Sequence, residues 1–397
     1  MASEERLSAV MPDELAGRDR QRDPFSWYEK MRKQGPVRYD EDRDAYDVFH
    51  YDEVVKMTVE YEQFGKEGTS FLDGAWMSRD PPVHTELRSM AENYFRPSYV
   101  EEHYRSAIED RAEELVDDAV SGDGRFEFVE AIAKPLPVLI IADILGVPSE
   151  QMDTFRDWST SLIGAPSEPT PEAKRRIFER MMDTIDTLND FFAREIKKRE
   201  DDPQDDLITK FLQAESEYDL IDRENTIACC GMLLVAGNVT TTAFMTNAIW
   251  TFVEEGVVDD LQVGKMSLDD ALEEVLRYRS PVQPQKRIAR QDTELGGVEV
   301  PEGARVNGWI GSANRDERIF EHPEAFRPDQ VYEEQPIPFG KGIHYCLGAP
   351  LANLEAEILF STFLDRVEDV ELATDEIEPY FSPEIFGAAE LPLQVTT

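Results

Sequence analysis

The chain has 397 residues, 83 of them acidic and 41 basic, for a formal net charge of −42. That balance argues against a nucleic-acid partner, because no basic face offsets it. Three cysteines in this length argue against a disulfide framework.

Length alone suggests two or three domains. However, no Ser/Gly-rich joint, repeat or low-complexity run divides the chain. The first twenty or so residues form a polar lead-in without an apolar signal or spanning segment, so no membrane anchor is expected. Between Phe64 and Met77, the side chains Phe71, Leu72, Trp76 and Met77 suggest an apolar wall. Pro81 and Pro82 suit a helix start, and His84 and Arg88, four apart, share one face of the helix that follows. Glu109 to Asp118 reads as a solvated helix face.

From about Arg223 to Glu255, residues such as Leu233, Leu234, Phe244, Ile249 and Trp250 predict a long buried helix. Cys229 and Cys230 within it read as small buried hydrophobes. The same helix carries Ala236-Gly237-Asn238-Val239-Thr240-Thr241. Glycine and threonine weaken a helix interior, and a stretch that tolerates them often approaches something closely. Glu274 and Arg277 stand three apart and can pair across one helical face, although that pattern is common on solvated helices. Gly296-Gly297 predicts a hairpin turn between short strands.

Residues 339–348 read FGKGIHYCLG. Phe339, Gly342, Cys346 and Gly348 stand at fixed spacing, and Gly340 and Gly342 permit backbone angles closed to other residues. Such a loop presents one sulfur to a metal. A helix is predicted from Ala349 to Val367, and the unpaired N–H groups at its start favour a thiolate over a thiol.

The ligand loop, the Glu274–Arg277 pair, the Ala236–Thr241 stretch and the Asp80–Arg88 segment occur in an order that resembles the cytochrome P450 family. The likeness runs from roughly residue 20 to the end. It implies a mainly α fold with small β-sheets, built as a single domain over residues 1–397, with a long central helix crossing a haem. It implies haem b (iron protoporphyrin IX) as cofactor and Cys346 as its axial ligand. It makes His84, Arg88, Arg287 and His344 propionate partners, gives Phe339, Gly342 and Gly348 to the haem loop, and leaves Glu274 and Arg277 structural. Ala236 and Gly237 are expected to leave room for dioxygen, and Thr240 to hydrogen-bond the bound oxygen. Many members carry an acid before this threonine, and here Val239 stands there. Asn238, Thr240 or waters are the expected substitutes in proton delivery.

The activity implied is insertion of one atom of O2 into an apolar organic substrate. A peroxide-driven or isomerising enzyme and a non-catalytic haem sensor remain as alternative readings. No flavin, nicotinamide or iron–sulfur motif is present in the sequence, so electrons are expected from a separate protein. Likeness to stand-alone prokaryotic members implies a ferredoxin with its reductase. The walls expected for the substrate pocket are 64–77, the central helix near Leu233, residues 282–285, and the turn at Ile385 and Phe386. The charge suggests a cytoplasmic protein of a salt-rich cell, a halophilic archaeon, because molar salt shortens the screening length to about 3 Å.

Overall fold

The computed structural model describes residues 12–15, 17–69, 74–147, 151, 154–155, 157–158, 161, 171–380, 382 and 384–397. Phe71 and Leu72 lie outside the described residues.

Helices dominate. Their lengths and apolar faces assign them to one packed body around the central helix Arg223–Glu254. Asp222 caps that helix by accepting from the Asn225 N–H, while the Asn225 side chain accepts from the Asp222 N–H. This reciprocal box satisfies two orphan donors at once. The helix is long and apolar enough to cross a membrane, but 67% of its apolar window is buried inside the molecule. Helices Pro135–Leu145, Pro171–Asp201 and Leu268–Tyr278 pack against it, and the helix Ala349–Arg366 lies against Pro97–Val120. Phe252, Phe360, Phe363 and Phe128 meet where these elements join.

The short strands are β1 (Val37–Asp40), β2 (Ala45–Val48), β3 (Phe64–Gly65), β4 (Arg125–Glu127), β5 (Pro284–Ala289), β6 (Thr293–Leu295), β7 (Val298–Val300), β8 (Arg305–Trp309), β9 (Asp369–Leu372), β10 (Glu378–Pro379), β11 (Ala388–Glu390) and β12 (Pro392–Thr396). The largest sheet has the order β1-β2-β8-β5-β3, and only the β2–β8 pair is parallel. A second sheet runs β4-β12-β9. Gly296 and Gly297 both have positive φ and turn β6 into β7, as the sequence predicts.

A buried ionic knot holds the large sheet. Arg43 bonds both Asp40 and Asp47, and Asp47 also accepts from Trp309 Nε1 at 3.0 Å. Asp47 and Trp309 are fully buried. Burial pushes the Asp47 carboxyl up, while Arg43, Trp309 and Asn307 oppose it. Such a knot holds register at a desolvation cost.

Glu274 and Arg277 are buried, not solvated. Arg277 donates to both Glu274 oxygens and to the carbonyls of Asn314, Pro323 and Ala325. The pair thereby ties the helix Leu268–Tyr278 to the irregular chain that leads into the cysteine loop.

Candidate haem-binding site

The cysteine loop is shaped by its own backbone. The Cys346 N–H donates to the Phe339 carbonyl at 3.0 Å, and the Tyr345 N–H to Gly342 at 3.1 Å. Gly340 and Gly342 have φ of 73° and 78°. A Cβ at Gly342 would also lie 2.8 Å from the Thr58 carbonyl oxygen, so glycine is needed there twice over. Gly348 caps the helix Ala349–Arg366, and a Cβ on it would meet only open space.

Cys346 opens on an interior cavity of about 370 Å³. Its accessible face is turned to that cavity while protein encloses the rest. Cys229 and Cys230 are fully buried in the core, and burial raises both thiols. Opposite the cysteine loop, the central helix contributes Ala236, Gly237, Thr240 and Thr241 to the lining. The Thr240 hydroxyl donates to the Ala236 carbonyl at 2.8 Å. Its own oxygen keeps acceptor capacity toward the cavity.

The helix start acts on the thiol as expected, and burial works against it. The N–H groups of Gly348 and Ala349 and the charge of Arg88 do lower its pKa, as the helix start predicts. Burial outweighs them, and the Cys346 thiol is net raised. A thiolate at this position needs a facing cation to stabilise it.

Basic side chains gather at one edge. Arg88 and His344 line the cavity. His344 bonds Asp80 at 3.0 Å, and its ring meets that of His84 at 4.5 Å. Burial pushes both imidazoles down to about 4, so both are neutral at pH 7, and His344 gives its one N–H to Asp80. Burial also pushes Asp80 up, but bonds from His344, the Lys66 N–H and Arg290 outweigh it and its carboxyl ends low. His84 and Arg287 stand behind the lining rather than in it. His84 Nε2 and Arg287 Nε are buried and have no partner in the described structure. Arg287 is lowered to about 10 by burial and stays charged.

Three expectations need correction. Asn238 is fully buried on another face of the central helix, accepts from Thr242 there, and does not reach the cavity. The helical period turns it away, since neighbours of Ala236 and Thr240 on one face stand three or four apart. Phe386 and Ile385 are not in the lining. Phe386 packs edge-on to Phe25 at 5.1 Å and stacks on Trp250 at 5.8 Å, and Glu384 lines the cavity in their place. Gln283 also leaves the expected wall, because it accepts from the Tyr28 hydroxyl at 2.6 Å in the core. Trp76, Met77, Leu233, Val282 and Gln285 do line the cavity.

The sequence reading missed Lys286 and Glu355 among the lining residues and, although Lys66 falls in the expected wall 64–77, did not single it out. Glu355 had a signal, since it interrupts the apolar series Leu351, Leu354, Ile358 and Leu359 on one helix face. The lysines had none.

The donor set suits an iron porphyrin: one cysteine sulfur facing a cavity, a small-residue helix turn opposite, and buried N–H donors at one edge waiting for carboxylates. Comparison with known proteins agrees. A cytochrome P450 family model matches residues 261–397. Cytochrome P450 109 of Bacillus spizizenii is 36% identical, covering 100% of this chain and 98% of that protein. The chain belongs to the cytochrome P450 family. Erythromycin C-12 hydroxylase of Saccharopolyspora erythraea is 31% identical over 96% of each chain. The crystal structure of CYP109E1 from Bacillus megaterium with testosterone superposes with a TM-score of 0.89 at 36% identity, covering 96% of this chain and 99% of that one. This P450 is accordingly a haem-thiolate monooxygenase that carries haem b and uses O2, a redox partner and a small-molecule substrate.

Proposed function

We propose that residues 1–397 act as one monooxygenase domain that oxidises an apolar, polycyclic substrate of steroid or isoprenoid type. One observation carries this reading. Cys346 and Thr240 face the same cavity, and the remaining wall near Trp76, Met77, Leu233 and Val282 is apolar. When bound, the thiolate-ligated haem supplies dioxygen activation, placing one oxygen atom on the substrate and releasing the other as water.

The chain's residues prepare that chemistry. Cys346 would hold the haem iron through its sulfur, itself positioned by the bond from its own N–H to Phe339 and by the glycines at 340, 342 and 348. Arg88, Arg287 and His84 would donate to the propionates, and bonds of this kind to a carboxylate are strong and directional, while His344, its one N–H given to Asp80, would hold that edge in place. Ala236 and Gly237, small residues in the cavity lining, would leave room for dioxygen beside a bound haem. Thr240, its hydrogen committed to Ala236, offers a lone pair that orients a proton donor. Val239 cannot relay a proton, and Asn238 is turned away, so waters beside Thr240 and Thr241 carry protons inward.

Support for the substrate class comes from a relative that was crystallised with testosterone. The electron donor we propose is an acidic ferredoxin with its reductase, in the cytoplasm of a halophile. Val239 favours a second reading, in which peroxide drives turnover. The test is a titration of the ferric haem spectrum in molar KCl with steroids, terpenes and short polar controls. A saturable spin shift with the polycyclic compounds alone supports the reading, and shifts with none of them sink it. Parallel turnover with O2 and with peroxide separates the two modes.

A further inference from the structure

Lys66 has a charge that the protein does not match. The residue follows β3, where its backbone N–H donates to Asp80 Oδ2 at 2.7 Å and fixes its position. Its side chain lines the cavity. Among the described residues, its ammonium makes no hydrogen bond or ion pair. The two acids near it are already engaged. Asp80 takes His344 at 3.0 Å and Arg290 at 2.7 Å. Glu384 takes Lys286 at 2.5 Å.

The neighbours also work against the ammonium. Burial pushes Lys66 well below its ordinary value, Arg287 and Lys286 push it further, and Asp80 and Glu384 only partly oppose them. Arg287 is itself almost fully buried and has an Nε without a partner. Two cations thus crowd one edge of an apolar cavity with their acids spoken for. Evicting charge from water is costly unless an anion returns it. The missing partner is an anion that enters the cavity.

We propose that Lys66 is a carboxylate-binding residue of this cavity. The inference rests on the haem-thiolate reading above. The carboxylate is either a propionate of the haem or the acid group of a substrate with an apolar body. Both present the same planar anion to the same ammonium, and the apolar wall suits either the porphyrin edge or a hydrocarbon tail.

The test uses the haem-loaded protein and the variants Lys66→Met and Lys66→Arg. The first arm measures the rate of haem transfer to excess apomyoglobin. Loss of one charge-assisted bond predicts transfer about tenfold faster or more in Lys66→Met, with Lys66→Arg near wild type. The second arm titrates the ferric spectrum with a long-chain carboxylic acid and with its methyl ester. Preference for the acid by about tenfold, abolished in Lys66→Met and kept in Lys66→Arg, assigns the carboxylate to substrate. Acceleration in the first arm assigns it to the propionate. Lys66→Met removes the charge while keeping most of the bulk, and circular dichroism verifies its fold. Identical behaviour of Lys66→Met and wild type in both arms overturns the role of Lys66 while leaving the haem-thiolate reading in place. A wild-type chain that takes up no haem overturns both.

Discussion

Glu274 accepts two hydrogen bonds from Arg277, at 2.8 and 2.7 Å, and every remaining N–H of that guanidinium goes to a backbone carbonyl. The carboxylate in turn accepts from the Arg327 N–H at 2.9 Å. Removing one partner leaves a buried charge with nothing to face. Arg277→Ala is expected to cost about 3–5 kcal/mol, and Arg277→Lys most of that, because three donors in a cone cannot replace a planar five-donor fork. Guanidinium unfolding followed by circular dichroism, with haem content per folded protein, checks this. A loss under 1 kcal/mol would refute the bracing role.

The cysteine loop makes a graded prediction. Gly340 and Gly342 share a positive φ, but only at Gly342 would a methyl group meet backbone, 2.8 Å from the Thr58 oxygen. At Gly340 the nearest atom is a Gln285 side-chain nitrogen at 3.6 Å. Gly340→Ala should cost about 1 kcal/mol of conformational strain, and Gly342→Ala clearly more. Thermal unfolding of the two variants side by side measures the difference. Equal losses would show that the Thr58 contact is irrelevant.

Thr240 is expected to govern coupling rather than binding. Thr240→Ala should leave the substrate-induced spin shift intact while product per O2 consumed falls about tenfold or more and peroxide rises. Thr240→Ser keeps the hydroxyl and should retain most of the coupling. Val239→Glu should raise coupling in the wild-type background. Oxygen-electrode measurements paired with product assay decide this, and unchanged coupling in Thr240→Ala would remove the residue from proton handling.

Glu355 sets a pH dependence. It is buried on the helix after the cysteine, one oxygen has no partner, and burial alone pushes its carboxyl up to about 8. An unfolded glutamate loses its proton near 4.5. Between these values the folded chain holds one more proton than the unfolded chain, so stability from this site falls as pH rises. Glu355→Gln should therefore match wild type near pH 5 and exceed it progressively toward pH 8, by about 1 kcal/mol per pH unit. Chemical denaturation of the holoprotein across that range gives the slope, and parallel curves would contradict it.

Salt should matter to the whole molecule. With a net charge of −42, dialysis from molar KCl to about 10 mM lengthens the screening distance roughly tenfold and restores self-repulsion. Unfolding with haem loss at low salt is the expected result. Full stability there would count against a halophilic origin.

The central helix is legible because its apolar run and its capping residues act locally. The sequence predicts about 223 to 255, and the helix spans Arg223–Glu254. The helix after Cys346 ends within a residue of expectation for the same reason. Asn238 was misplaced because an adjacent position in sequence lies about 100° round the helix, which motif matching does not see. Phe386 was misplaced because an aromatic ring fits a core as well as a pocket, and only packing against Phe25 and Trp250 decides. The thiol of Cys346 was read from helix-end charge alone, while desolvation depends on everything folded around it. Lys66 carries no local signal, since its importance arises from which acids its neighbours have already taken.

Asp47 and Asn307 touch in the large sheet although 260 residues separate them in the chain. At a synthesis rate of about 5–20 residues per second, β2 emerges from the ribosome more than ten seconds before β8 exists to pair with it. Cys346 emerges later still. For that interval the hairpin of β1 and β2 has to wait with Asp47 in water and the other edge of β2 unpaired, and loop closure over such a span is entropically slow. Haem capture is therefore a final event of biosynthesis, and a chain truncated before β8 would be a substrate for proteases rather than a partial enzyme.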